Sequence, residues 1–343
     1  MPPHAAEPSS SRRSPWWGFA LRGVVLAAAL VFLVRGVKWH DIAVAVKGAG
    51  IVLPSVVIGM NACMMGLRAL RLRVLLERRL PFTSAFVTLL TSSALNNITP
   101  FRGGHVARLW MIERASGVTK SAALAITLVE NLLEVAILAL LGFVASWLAK
   151  GQTWAGAAAP LVFLGTVALL GLLLASTRHA TRGQGRDRQD RTGWLGKLRR
   201  LLERAEPGFR ALRKPGIAWR AALLSLLAWA CEATMILLSA HAMGLGLSFP
   251  LAIVVLFGIN LALTLPSTPA SAGPFEGATV AILLFAGIAK GPAVAFAFFY
   301  HAVQVVPVTV VGAVVLLAAK RRSNRTPDRL NASGIPATKL EPF

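Results

Sequence analysis

The sequence predicts an all-α polytopic membrane protein, an inverted repeat of transmembrane helices with two re-entrant broken-helix hairpins. Three observations lead there. Apolar residues make up 55% of the 343, above the roughly 45–50% of soluble chains, and mean hydropathy is +0.64. These residues gather in runs of about 17–25, the length that crosses a hydrocarbon core of about 30 Å. Two apolar regions are broken by NNITPFRGG (96–104) and PSTPASAGPFEG (266–277), where prolines and glycines stop a helix and free backbone groups. Strand alternation of the outer-membrane barrel kind is absent from the sequence.

The spans follow in order. Trp17–Val37 is the first, and no A-x-A-like cleavage site follows it, so it is read as a span and not a removed signal peptide. Ile51–Leu70 is the second, ahead of the arginine-dense stretch Arg68–Leu80. Pro81–Asn97 is apolar but rich in Thr, Ser and Asn, and HVARLWMIERAS after the break is amphipathic. Ser121–Leu148, Leu161–Ala175, Ile217–Met243, Pro250–Leu265, Ala278–Ala289 and Gly291–Ala319 complete the apolar set. The organisation is a cytoplasmic tail (1–16), one transmembrane domain (17–320) and a polar, disordered cytoplasmic tail (321–343). Within the domain, repeat one covers about 51–149, a basic loop about 177–216, and repeat two about 217–319.

The formal charge of +22 sits in segments that flank apolar runs. That pattern fits cytoplasmic loops and anionic lipid headgroups and not nucleic acid. Arg178–Lys214 alone carries twelve Lys and Arg against four carboxylates. The positive-inside rule puts that loop, Arg68–Arg79 and both termini in the cytoplasm of a bacterial cell (inner) membrane. Pro81–Ser116 then enters and returns on the inner side, and Pro250–Ala289 on the outer side. Irregular backbone at that depth needs surrounding protein or a watery cavity.

The halves also align. Ala62-Cys63 matches Ala230-Cys231, 168 positions on, and Gly117–Gly142 matches Gly287–Gly312 without gaps, 170 on. Opposite orientation of two such halves is a transporter architecture, with the site near the midplane at broken helices. The two cysteines, with no disulfide or zinc spacing, are read as small apolar core residues.

Several residues could carry chemistry. Arg102 and Arg108 flank the first break. Each fits a phosphate or carboxylate bidentately, or simply snorkels to the interface. Glu130 and Glu134 share a helix face and could relay protons or serve as structural partners of Arg102 or Arg108. Glu276 begins the helix after the second break, where it is a first-turn acid favoured by the dipole or a group that couples the cycle to protons. Glu232 is a weaker candidate in its own span. Tyr300, His301 and Gln304 occupy the positions matching Glu130, Asn131 and Glu134, and His301 could titrate near neutrality. Asn96, Asn97 and Asn260 can bond freed backbone groups. Motifs for serine hydrolases, zinc proteases and phosphate-binding glycine loops are missing from the sequence, and no cofactor or metal is expected.

At these residues the chain resembles the lysylphosphatidylglycerol synthase transmembrane region, or flippase-like, family. ALNNITPFRGGHVARLWMI looks like its N-x-LP-x-R-x-GE-x-x-R motif, LVENLLEVAILALL like its "ER-x-x-D" helix, and LPSTPASAGPFEGATVAILL like its second glycine-rich element ending in FE. The resemblance covers about Gly18 to Lys320. The chain departs at Gly104-His105, at Asn131, and in the stretched ASAGPF. By position, the resemblance implies substrate-binding roles for Asn97, Pro100, Arg102, Gly103, Arg108, Gly273 and Glu276, and roles for Glu130 and Glu134. It implies handling of anionic or isoprenoid-derived lipids between leaflets, with hopanoid-associated relatives. The aminoacyl-transferring domain of full-length synthases is not in this sequence, so the resemblance implies the translocating half and no enzyme. Lipid-biosynthesis enzymes are candidate partners. A small-anion carrier and a non-catalytic scaffold for lipid-synthesis enzymes remain open as other readings.

Overall fold

The computed structural model describes residues 50–99, 103–148, 160–161, 163–164, 211–264 and 269–332. The chain divides into two units, Met1–Val37 and Lys38–Phe343, and every described residue lies in the second. Eight α-helices make up the described residues: α1 Val52–Leu75, α2 Phe82–Ile98, α3 Gly103–Ser116, α4 Lys120–Leu148, α5 Pro215–Ala242, α6 Phe249–Ala262, α7 Pro274–Phe285 and α8 Lys290–Ala332. Two 3₁₀ turns, Ala211–Arg213 and Pro269–Ser271, lead into α5 and α7. Four helices are long and apolar enough to cross a membrane: α1, α4 to Ala145, α5, and α8 to Ala319. The first span (Trp17–Val37), Leu161–Ala175 apart from a few residues, and most of the basic loop lie outside the described residues.

Local chemistry sets the boundaries. Nothing breaks the helix at Leu70, so α1 runs on to Leu75 and the arginine-dense stretch is its last two turns. This corrects the placement of Arg68 and Arg71 in a cytoplasmic loop: Arg71, Leu72 and Leu75 are buried. The chain leaves α1 through Glu77 (φ 50) and Arg78 (φ 64), with the Arg78 N–H donating to the Arg73 carbonyl at 2.9 Å. α2 ends at Thr99, extended at φ −94 and ψ 140, the conformation that a following proline favours. Gly117 (φ 69) ends α3 and Gly287 (φ 81) follows α7. These two positions, matched in the sequence at an offset of 170, both take the left-handed cap that glycine allows. α8 continues past the apolar stretch to Ala332, through residues that composition assigns to a disordered tail. Lysine and arginine there are good helix formers and suit a helix C-terminus.

Packing pairs helices in a repeating way. α1 and α5 lie antiparallel along the most extensive helix contact. Lys214 pairs with Glu77 at 2.7 Å at one end, and Arg71 donates to the Ser225 hydroxyl at 2.8 Å further along. α2 packs on α3, and α6 on α7. α8 packs on α2, while α4 packs on α6. Residues at matched sequence positions make the crossings. A Cβ on Gly312 of α8 would meet Ala94 at 2.5 Å and the Leu90 carbonyl at 2.8 Å on α2. One on Gly142 of α4 would meet the Phe257 ring of α6 at 3.1 Å. Asn61 of α1 donates to the Gln304 carbonyl of α8 at 3.0 Å, and Trp229 of α5 donates to the Glu134 carbonyl of α4 at 3.1 Å. Asn61 and Trp229 are 168 positions apart, Glu134 and Gln304 170.

The core gathers Leu72, Leu75, Leu80, Ile112, Val129 and Ala221. Outside it, Leu140, Val310 and Leu317 are exposed, which on membrane-length helices is a lipid-facing surface. The cysteines are not core residues as the sequence suggested: Cys63 is exposed and Cys231 half-buried. Their size and polarity are tolerated on either side of a lipid-exposed helix, so composition alone did not distinguish the two.

Gly104 is the tightest crossing. A Cβ there would collide with the Ser92 carbonyl and meet Asn96 Oδ1 at 2.7 Å. Gly104→Ala should lower stability by about 1–3 kcal/mol, the cost of overpacking. Gly216→Ala, with nothing within 4 Å of its Cβ, should stay within about 0.5 kcal/mol of wild type. Thermal unfolding of both variants in mild detergent checks the contrast.

Candidate functional site

Three guanidiniums and three carboxylates meet inside the bundle. Arg68 and Arg71, three apart on α1, lie on one face of that helix. Glu130 and Glu134, four apart on α4, do the same. Arg71 is the hub. Its Nε lies 3.3 Å from Glu130 Oε1, Nη2 lies 2.7 Å from Glu134 Oε1, and Nη1 donates to the Ser225 hydroxyl at 2.8 Å. The Arg71 side chain is 4% exposed and that of Glu130 1%. Arg108 of α3 closes on the second oxygen of Glu130. Arg68 lies between two carboxylates, with Nε 3.4 Å from Glu134 and Nη2 3.2 Å from Glu232 of α5. Its guanidinium also sits over the Trp229 ring, 5.5 Å from the centroid.

The far side of Glu232 is neutral. Gln304 of α8 donates to it at 3.2 Å and to the Tyr300 hydroxyl at 2.6 Å. Five helices, α1, α3, α4, α5 and α8, thus contribute to one polar centre. Its three positive and three negative charges cancel. Cancellation is what a low-dielectric interior requires, because an unpaired ion there costs several kcal/mol.

A second polar centre adjoins it through Tyr300 and His301. The turn at 269–273 takes left-handed backbone at Ala270 (φ 54) and Ser271 (φ 61), then Gly273 at φ 93. Glu276 folds back so that its Oε2 accepts the Gly273 N–H at 2.7 Å, satisfying a free donor at the start of α7. His301 bridges: Nδ1 lies 2.5 Å from Glu276 Oε1, and Nε2 lies 2.9 Å from the Ala270 carbonyl. The Phe275 ring stacks on the imidazole at 4.3 Å between centroids. α2 packs against this turn, and Asn97 near the end of α2 donates to the Thr309 hydroxyl of α8 at 2.8 Å.

The structure brings together some of the residues the sequence singles out and separates others. Glu130, Glu134 and Arg108 share the first centre, and Gly273, Glu276 and His301 share the second. Asn97 bonds a side chain of α8, where a freed backbone group was expected. Gly103 starts α3, where a Cβ would meet the Thr99 hydroxyl at 3.0 Å. Pro100 and Arg102 lie outside the described residues. Glu134 finds its salt bridges on α1, in Arg71 and Arg68, where the sequence offered Arg102 or Arg108 as its partner. Sequence reasoning missed Arg68 and Arg71, taken for loop charges, and undervalued Glu232. The helical spacing of Arg68, Arg71, Leu72 and Leu75, with no glycine or proline among them, is the signal that could have found them. Among the described residues, no three His, Cys, Asp or Glu side chains gather as a metal site requires.

Membrane-length apolar helices around a charge-balanced polar centre define a polytopic membrane protein with a built internal site. The family described as the lysylphosphatidylglycerol synthase TM region matches residues 19–312, and the chain belongs to it. The search of curated proteins found no match.

Glu130 holds two arginines on two helices. Glu130→Ala should therefore destabilise the fold by about 3–5 kcal/mol, the cost of breaking a buried pair from one side. Glu113→Ala removes the exposed pair with Lys120 and should change stability by less than about 1 kcal/mol. Unfolding midpoints in detergent separate the two outcomes.

Proposed function

We propose that this protein moves or presents a polar or isoprenoid-derived lipid between the leaflets of the inner membrane, with both termini cytoplasmic. The observation that carries the reading is the ionic centre of Arg68, Arg71, Arg108, Glu130, Glu134 and Glu232, five of whose six side chains stand on membrane-length helices. Charged residues at membrane depth mark substrate or ion pathways, and guanidiniums are the side chains best suited to a headgroup phosphate. Family membership supports the association with membrane lipids.

The helix lengths support the same reading. α2, α6 and α7, with 17, 14 and 12 residues, reach about 25, 21 and 18 Å at 1.5 Å per residue. Each is shorter than the hydrocarbon core, as half-spanning hairpin arms would be. The matched crossings of α8 on α2 and α4 on α6 are what an inverted repeat would produce, with the substrate route between the halves. In this reading the headgroup passes the polar centre while the acyl or isoprenoid tails stay in lipid. The chain acts as a carrier, and no covalent chemistry is assigned to it.

The test is reconstitution into vesicles of phosphatidylcholine and phosphatidylglycerol carrying a tail-labelled fluorescent phosphatidylglycerol, with dithionite added outside. Wild-type vesicles should lose the fluorescence of both leaflets, and protein-free vesicles about half. Equal protection of the inner leaflet in both preparations, together with release of trapped inorganic phosphate, would assign the protein to small soluble anions instead. Full activity after deletion of 178–210 would argue against a scaffold acting through the basic loop.

A further inference from the structure

Of the three arginines in the polar centre, one is placed to let go. Arg71 uses all three nitrogens on Glu130, Glu134 and Ser225. Arg108 is 11% exposed and closes on Glu130. Arg68 differs from both in exposure and contact length, and shares with Arg108 a buried Nε that makes no hydrogen bond. Its side chain is 26% exposed, the most of the three. Its contacts with Glu134 and Glu232, at 3.4 and 3.2 Å, are longer than the Arg71–Glu134 contact. A guanidinium with an unused donor and an exposed edge can donate bidentately to a pair of phosphate oxygens.

The carboxylates are unequal in the same way. If Arg68 turns to a ligand, Glu134 keeps Arg71, and Glu130 keeps both Arg71 and Arg108. Glu232 keeps no cation among the described residues. The groups that face it are Arg68 from α1, Glu134 from α4, and Tyr300 and Gln304 from α8. α6, also packed on α5, has no titratable side chain. What remains around Glu232 is another carboxylate, a phenol and an amide. A carboxylate so placed in a low-dielectric site neutralises and does not persist as a bare charge.

We propose that Arg68 is the guanidinium taken over by the phosphate group of an anionic ligand, and that Glu232, losing its cation, takes up a proton from water on the loading side. One proton then accompanies each bound anion. On release Arg68 returns to Glu232 and Glu134, and the proton leaves to water on the other side. No covalent bond beyond O–H is made or broken. The inference rests on the reading of the polar centre as an anion site, and it adds the exchanging residue, the proton acceptor and the stoichiometry.

Calorimetric titration of the purified full chain in mild detergent tests it. Dihexanoyl phosphatidylglycerol and inorganic phosphate are the two probes, each run in two buffers of different ionisation enthalpy. Wild type should take up about one proton per bound anion, and affinity should fall about tenfold per pH unit where that uptake is complete. Glu232→Gln keeps hydrogen-bonding atoms for Arg68 and Gln304. It should bind with no proton uptake and with an affinity independent of pH. Arg68→Gln should lose binding at least tenfold.

Each other outcome is decisive. Lipid binding to wild type without proton uptake overturns the exchange and leaves the lipid reading standing. Proton-linked binding of inorganic phosphate alone sustains the exchange and overturns the lipid reading. Proton uptake that persists in Glu232→Gln overturns the assignment of Glu232. Binding of neither anion overturns both. Should Glu232→Gln fail to fold, the wild-type proton count alone decides whether the exchange occurs.

Discussion

Charge inside an apolar bundle must be paired, and that constraint organises this molecule. Arg71 is buried and always ionised. It is sustained by two carboxylates on α4 and a hydroxyl on α5. Once Arg71 is placed, α4 must lie beside α1 with Glu130 and Glu134 turned inward, and α5 must present Ser225. Arg108 then brings α3 onto Glu130, while Arg68 draws in Glu232 and, through Gln304, α8. Apolar packing between helices is nearly isoenergetic with packing against lipid. The ion pairs therefore contribute selectivity in helix arrangement that hydrophobicity cannot supply.

Backbone proximity is the second constraint, and small residues meet it. Gly104 lets α3 lie against α2, Gly312 lets α8 lie against α2, and Gly142 lets α4 lie against the Phe257 ring. Close approach also serves the turn before α7, where left-handed residues would leave donors and acceptors unsatisfied. Glu276 takes the Gly273 N–H, and His301 takes the Ala270 carbonyl and the remaining carboxylate oxygen together. Irregular backbone packed within an apolar bundle is stable only when its freed groups are bonded in this way.

Much of the architecture was legible in the chain. Within the described residues four long apolar runs became α1, α4, α5 and α8, α8 running on to Ala332, and the prolines and glycines of the two breaks separate α2 from α3 and α6 from α7. Gly117 and Gly287, matched in the alignment of the halves, both cap helices. Glu130, Glu134 and Glu276 were legible too, because an acid in an apolar run is costly and turns toward the bundle interior, whereas Glu232 was undervalued. Arginine was not legible, since the same residue marks a cytoplasmic loop or a buried pair. Arg68 and Arg71 stand at the edge of a run, where charge bias and helix periodicity give opposite answers.

By itself, the sequence determined that this chain is helical, membrane-spanning, twice interrupted, and furnished with acids in its spans. Those properties depend on residue type and on spacing along one helix, which a linear chain displays. Tertiary structure alone decided which arginine meets which carboxylate. The pairs Arg71–Glu130, Arg68–Glu232 and Arg108–Glu130 join residues 59, 164 and 22 positions apart. Such pairing depends on helix order and rotation in the bundle, and the energy that selects it exists only once the helices have met and water is excluded.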